Sequence, residues 1–210
     1  MSFIETVAPR EATGEVRAMY ERQQAHWGYV PNYAKVFSRR PEVLARWGRL
    51  LAEIRRPMDA RRFELITFAA AHALRNSACA LAHGKALAEM LGTEAVVALA
   101  ERGDAETLSA AERAMVAFSR RVARDAASVE QEDIDTLRRH GFDDAEIFDI
   151  VATAAGRAFF TKILDGLGVL ADPPSLGLEE GFRRALTVGR PIDRGATARL
   201  ASGLETESSA

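Results

Sequence analysis

The chain has 210 residues, a length typical of one domain or of one domain with a tail. It carries 28 basic and 30 acidic residues, and this balance gives no electrostatic reason to expect a nucleic acid or an anionic membrane as a partner. The N-terminus lacks the apolar run of a signal peptide, and no stretch approaches the ~20 apolar residues of a membrane-spanning helix. A single cysteine excludes an intramolecular disulfide and fits a reducing compartment, so we expect a cytoplasmic protein.

Apolar residues at helical spacing predict helices along the N-terminal half of the chain. Pro41 suits the first turn of one of them, and Asn76 or Ser77 is a plausible N-cap for another. Gly92 is placed to end that helix. The predicted helices cover residues 13–26, 32–37, 41–54, 60–74 and 78–91.

Three capping-box patterns start the helices predicted in the C-terminal half. Their N-cap residues are Ser109, Ser128 and Asp143, and the last opens a long helix that runs towards Leu167. One more helix is expected at 178–188, and no segment has the pattern of a strand. We therefore expect an all-α bundle of six to eight helices around two antiparallel central helices, at about 60–74 and 78–91. Residues 1–172 would form the helical domain, 173–190 a C-terminal helix extension and 191–210 a mobile tail.

Three titratable residues converge on the break between the two central helices. Cys79 and His83 are four residues apart, so their side chains share one helix face. Cys79 also falls in the first turn, where the helix dipole favours an anion, and we expect a lowered thiol pKa. Glu64, on the preceding helix, would orient His83 if the two helices pack antiparallel. On spacing alone, a buried small residue beside a core histidine is the more common arrangement.

The flanking segments add a recognisable order to these three residues. Glu64, eleven residues, Asn76-Ser77-Ala78-Cys79, three residues and His83 follow one another, with further characteristic segments at 9–16, 28–32, 108–114 and 140–147. In this order the chain resembles the carboxymuconolactone decarboxylase-like superfamily and, within it, the alkylhydroperoxidase D-like (AhpD-like), peroxidase-related branch. The resemblance covers about residues 3–172. It implies an AhpD-like helical bundle that assembles as a homo-oligomer, a trimer or a hexamer.

The chain departs from the family pattern at two positions beside the matching cysteine. Where redox members have the first cysteine of a Cys-x-x-Cys pair, this chain has Asn76, and Ala78 stands where they have a histidine. In those members the second cysteine is thought to attack the hydroperoxide and the first to resolve the sulfenate. With Asn76 in place of the first cysteine, the resemblance implies a one-cysteine cycle completed by an external thiol reductant.

Three functions are consistent with the sequence. The first is a thiol-dependent, peroxidase-like oxidoreductase acting on small hydroperoxides, with Cys79 as the peroxidatic thiol, His83 as the proton acceptor and Glu64 as the relay. The second is a non-redox lyase like the decarboxylase branch, acting on a small carboxylate or lactone through His83 and Glu64. The third is a catalytically degenerate oligomer with a binding role.

Other candidate ligands and site residues are few. His72 is either a further site-lining residue, with Asn76 and Ala78, or a histidine of the core or of an interface. The histidine spacings match no standard metal-ligand set, and the chain has no Gly-rich phosphate loop or dinucleotide fingerprint. We therefore expect no metal and no cofactor, and a small-molecule substrate with an external thiol as the partners.

Overall fold

A computed structural model describes residues 2–195, and within that range the chain is all-helical, as predicted. The ten α-helices in this range are α1 (Gly14–Trp27), α2 (Asn32–Val36), α3 (Pro41–Arg55), α4 (Ala60–Ala73), α5 (Ser77–Leu91), α6 (Thr93–Arg102), α7 (Ala110–Asp125), α8 (Gln131–Arg139), α9 (Asp144–Gly166) and α10 (Glu180–Leu186). Within residues 2–195, the one β-bridge is an isolated pairing between Ala171 and Ile192. None of the helices described is long and apolar enough to cross a membrane.

The described residues hold more helices than the six to eight predicted. The helix that sequence reasoning did not find is α6, which follows α5 after the single residue Gly92. Its N-cap makes no side-chain hydrogen bond, so no capping residue marks its start in the sequence. The short helices α2 and α10 add to the count.

Helices α4 and α5 form the centre of the bundle. The helix α4 is buried on nearly every side, including Phe63 through Ala71 and Ala73, because its apolar residues are not confined to one stripe. It packs against α5, α7 and α9. A contact between Glu64, near the start of α4, and His83, in the middle of α5, fixes the two helices as an antiparallel pair.

The break between α4 and α5 is a tight turn with a built-in cap. Arg75 has a φ of 59°, the one positive φ among the non-glycine residues described. Asn76 then adopts an extended conformation, and its side-chain oxygen accepts a hydrogen bond of 2.9 Å from the backbone N–H of Cys79. The predicted cap at Asn76 is confirmed, and it sets the position of Cys79 in the first turn of α5.

Two of the three predicted capping boxes are present. Those at Ser109 and Asp143 form with both reciprocal hydrogen bonds. The prediction at Ser128 was wrong, because Ser128 ends a short 3₁₀ segment and α8 begins three residues further on, at Gln131. Glu130 is the N-cap there, and its capping-box partner is Asp133.

The C-terminal segment packs against the rest of the bundle. The helix α10 is shorter than the predicted 178–188, and its Phe182 and Leu186 are buried in the core beside α5 and α6. Ile192, in the predicted tail, is also buried, and the next residue donates a backbone hydrogen bond of 2.8 Å to Ala171. Residues 196–210, the remainder of the predicted tail, lie outside the described residues.

Two phenylalanines on one face of α9 are exposed. Phe148 is 68% exposed and Phe159 is 45% exposed, and the eleven-residue interval between them is close to three helical turns. Exposed aromatic side chains at this spacing are compatible with a helix that packs against another subunit. The expected homo-oligomer stays a prediction.

The close approach of Gly189 to the turn before α5 gives a stability prediction. Its N–H donates to the buried hydroxyl of Ser77 at 2.9 Å, and a Cβ at this position would lie 1.8 Å from the backbone oxygen of Arg75. We expect Gly189→Ala to lower the free energy of unfolding by about 1–3 kcal/mol, since backbone must shift to admit the methyl group. Urea unfolding measures the change.

Gly177→Ala is the matched control for Gly189→Ala. A Cβ at Gly177 meets no atom within 4 Å, so this variant should stay within ~0.5 kcal/mol of the parent. Equal losses in the two variants would contradict the close packing of the C-terminal segment on this turn.

Candidate active site

The candidate site is built on the face of α5 that carries Cys79 and His83. Cys79 is 5% exposed and packs among apolar residues contributed by the N-terminal helices and α9. His83 lies one turn further along α5 and is partly exposed. Both residues line the same cavity, as their spacing predicts.

His83 is paired with Glu64 of the antiparallel helix α4. Its Nδ1 lies 2.8 Å from Oε2 of the Glu64 carboxylate, and Glu64 is itself buried. Burial favours the uncharged form of Glu64, but its pairing with His83, together with the positive charges of Arg157 and Arg55, outweighs burial and lowers the pKa of the carboxyl group. Glu64 is therefore ionised at neutral pH and accepts a hydrogen bond from Nδ1–H of His83.

The electrostatics around His83 keep its ring neutral. Burial and the positive charges of Arg157 and Arg55 lower its pKa, and the pairing with Glu64 opposes them without reversing the shift. A neutral imidazole whose Nδ1–H is held by Glu64 has an unprotonated Nε2. His83 is thus prepared to act as a general base at neutral pH.

Arg157 of α9 completes the site, although the sequence analysis did not select it. It is 3% exposed, and its Nη1 donates a hydrogen bond to Sγ of Cys79 over 3.7 Å. The guanidinium lies 5.5 Å from the ring centre of Trp47 and 5.6 Å from that of Phe160. No carboxylate within residues 2–195 forms an ion pair with it, and its Nε is buried without a hydrogen-bond partner. Arg157 is thus a buried cation with no counter-ion in contact among the described residues.

The expected lowering of the Cys79 pKa is wrong. Burial of the thiol raises its pKa, and this effect exceeds the opposing contributions of the Arg157 charge and hydrogen bond. The helix dipole acts in the expected direction, but the thiol is enclosed by side chains that solvate an anion poorly. Cys79 and His83 therefore rest as a neutral thiol and a neutral imidazole.

A large cavity opens onto these residues. Its volume is about 910 Å³, and it lies between α1, α3 and the central helices. The residues that line it include Glu64, Cys79, His83 and Arg157. Aromatic and aliphatic side chains form much of the remaining wall. Clefts of this size with a few converging polar groups are typical of small-molecule sites.

The three residues predicted to line the site have different positions. Ala78 lines the cavity, and Asn76 lies behind it as the buried cap of α5. His72 is not among the lining residues. It lies near α7 and α10, where burial and the charges of Arg120 and Arg124 lower its pKa and the backbone of Ala185 is its hydrogen-bond partner. The structure favours the alternative, a histidine of the core or of an interface.

Comparisons with family models and with curated protein sequences give no match. Solved structures do match. The AhpD-core, peroxidase-related protein from Ralstonia eutropha is 20% identical, with a TM-score of 0.71 over 90% of this chain and 98% of that one.

The chain has the AhpD-like fold. A peroxidase-related protein from Silicibacter is similar at 22% identity and a TM-score of 0.65, over 83% of this chain and 91% of that one. A cysteine-to-alanine variant of the debrominase Bmp8, in complex with 2,3,4-tribromopyrrole, is 17% identical with a TM-score of 0.66, over 87% and 95% of the two chains. The resemblance read from the sequence is confirmed at the level of the fold.

Arg157 could not be found from residue spacing alone. Its position in an Ala- and Gly-rich run of α9 gives no spacing relation to Cys79, which is 78 residues away. The available signal was a single charged residue inside the apolar segment 150–160. A charge in such a segment indicates either a helix surface or a buried functional group.

In residues 2–195, no group of three or more His, Cys, Asp or Glu side chains is arranged to hold a metal ion.

The burial of Cys79 generates a titration prediction. We expect iodoacetamide alkylation of the native protein to titrate with a midpoint above ~8.5, the value of a free cysteine, since only the thiolate reacts. Because the folded-state pKa is raised, the stabilisation from the neutral thiol is present below ~8.5 and is lost as the pH rises through the folded value.

The same cysteine in the urea-unfolded chain is the internal control, and it should titrate near ~8.5. A native midpoint below that of the unfolded chain would show that the helix dipole and Arg157 outweigh burial, contrary to this description of the site.

Proposed function

We propose that this protein is a thiol-dependent, peroxidase-like oxidoreductase that reduces hydroperoxides through Cys79. The observation that carries the proposal is the contact between the Cys79 sulfur and the buried Arg157 guanidinium, on a cavity that the Glu64–His83 pair also lines. A thiol, a base and a cation that stabilises the thiolate are the groups that nucleophilic cysteine chemistry needs.

In the first half-reaction Cys79 attacks the hydroperoxide. The Nε2 of neutral His83 accepts the thiol proton, and the Arg157 charge stabilises the thiolate that forms. The sulfur attacks the terminal peroxide oxygen, so that an S–O bond forms while the O–O bond breaks. The leaving alkoxide takes the proton from His83. The products are the alcohol and Cys79 sulfenic acid.

The second half-reaction requires an external thiol, because Asn76 occupies the place of a resolving cysteine. The external thiol attacks the Cys79 sulfenic acid, forming a mixed disulfide and releasing water. A second thiol then attacks the mixed disulfide at the external sulfur. This step returns Cys79 as a thiol and releases the external disulfide, so two thiols are oxidised for each hydroperoxide reduced.

A second candidate is acid–base catalysis of the lyase type. The observation in its favour is the neutral resting state of both Cys79 and His83, since a lyase needs His83 as a base and does not need a thiolate. In that case Glu64 and His83 would transfer the proton, and Arg157 would bind an acidic group of the substrate. Cys79 would then be a wall residue of the cavity.

An activity assay separates these candidates. Hydroperoxide consumption with dithiothreitol as the reductant should fall to the uncatalysed rate in Cys79→Ser, because the nucleophile is lost. His83→Gln should lower the rate about 10²-fold, the usual contribution of a positioned general base. His72→Gln is the matched control and should leave the rate unchanged, since His72 does not line the cavity.

Two outcomes would contradict the peroxidase proposal. Hydroperoxide turnover in Cys79→Ser equal to that of the parent would make the cysteine incidental and refute its role as the peroxidatic thiol. No hydroperoxide turnover in the parent protein, together with no dimedone adduct on Cys79 after peroxide treatment, would leave the lyase and the catalytically degenerate binding protein as the candidates.

A further inference from the structure

The cavity carries more positive than negative charge. Four arginines line it, Arg22, Arg49, Arg55 and Arg157, against the two carboxylates of Glu64 and Asp172. Both carboxylates are already engaged. Glu64 accepts a hydrogen bond from the His83 ring, and Asp172 accepts one of 2.7 Å from the backbone N–H of Asn32.

The four arginines differ in their surroundings. Arg22, Arg49 and Arg55 are exposed at the mouth of the cavity, where water solvates them. Arg157 alone among the four is buried, and its Nε has no hydrogen-bond partner in the described part of the chain. Among residues 2–195 the one hydrogen-bond partner of its guanidinium is the sulfur of Cys79, which rests as a neutral thiol. An arginine in this state is suited to a carboxylate, whose two oxygens match the guanidinium donors.

The walls beside Arg157 are flat and aromatic. The rings of Trp47 and Phe160 stack with their centres 4.3 Å apart and their planes 12° apart, and Tyr33 meets Phe160 edge-on. The Trp47 ring is held in place because its Nε1 donates to the backbone oxygen of Gly156 at 3.1 Å. Further aromatic residues that line the cavity are Trp27, Tyr29 and Phe63. Such walls favour a planar apolar body over a flexible polar one.

We infer that the cavity binds a planar organic anion, with its acidic group against Arg157 and its ring system along the aromatic wall. A volume of about 910 Å³ is ample for a compound of one or two rings, whereas hydrogen peroxide would leave it almost empty. As a statement about the substrate, this inference rests on the function proposed above. As a statement about binding, it is independent of any reaction of Cys79.

A pair of probes of equal shape tests the inference. 2-Naphthoate carries the charge, and 2-naphthamide has the same outline without it. By isothermal titration calorimetry at neutral pH, the Cys79→Ser protein should bind naphthoate at least about tenfold more tightly than naphthamide, as expected for a charge-assisted pair. Arg157→Met, in the same background, should remove this preference while leaving the weaker binding of naphthamide.

Arg49→Met is the matched control, since Arg49 also lines the cavity but is exposed to water. It should keep the preference for naphthoate. A far-ultraviolet circular dichroism spectrum and a thermal melt of each variant confirm that the comparison is between folded proteins.

Equal binding of the two probes, binding of neither, or a naphthoate preference that survives in Arg157→Met would each overturn the inference. Because the measurement uses Cys79→Ser, these results are separate from the fate of the peroxidase proposal. Anion binding with no hydroperoxide turnover by the parent would refute that function and leave the ligand class in place.

Discussion

The site depends on one energetically unusual feature, a guanidinium held in the protein interior with no carboxylate of residues 2–195 in contact with it. Taking a cation out of water costs several kcal/mol unless other charges or dipoles compensate for it. Around Arg157 the compensation is partial: a neutral sulfur at 3.7 Å, two aromatic rings and the more distant Glu64 carboxylate. The charge lowers the pKa of Glu64 and of His83 and limits the rise at Cys79. One buried side chain therefore influences the protonation of Glu64, His83 and Cys79.

The rest of the fold can be understood as the frame that keeps this charge close to Cys79. The helix α4 is apolar on nearly all sides, so it occupies the centre and leaves Glu64 as its one buried ionisable residue. The left-handed turn at Arg75 and the Asn76 cap then reverse the chain and start α5 at a fixed rotation. Cys79 and His83 consequently share the face of α5 that Arg157 of α9 approaches. Small residues in the middle of α9 allow the close packing that this arrangement needs.

The features of the fold and the site that depend on local signals could be predicted from the sequence. The central helices, the Asn76 cap and the Glu64–His83 pairing follow from periodicity, capping chemistry and an antiparallel turn. Two features of the site could not be predicted from the sequence. Arg157 is brought to Cys79 by tertiary packing, which leaves no trace in residue spacing. The direction of the Cys79 pKa shift depends on how completely the surrounding helices exclude water, and helix position alone predicted the opposite sign.

The proposal that Arg157 serves the chemistry of Cys79 at a cost to the stability of the native state is tested most directly by urea unfolding of Arg157→Met. A buried charge without a close counter-ion contributes little to the native state, and an apolar side chain of similar length fills the same space. We expect the variant to unfold with a free energy no lower than that of the parent, and up to about 4 kcal/mol higher, while Cys79 loses its reactivity towards hydroperoxide. A variant that is several kcal/mol less stable, or one whose Cys79 reacts as fast as in the parent, would contradict the account.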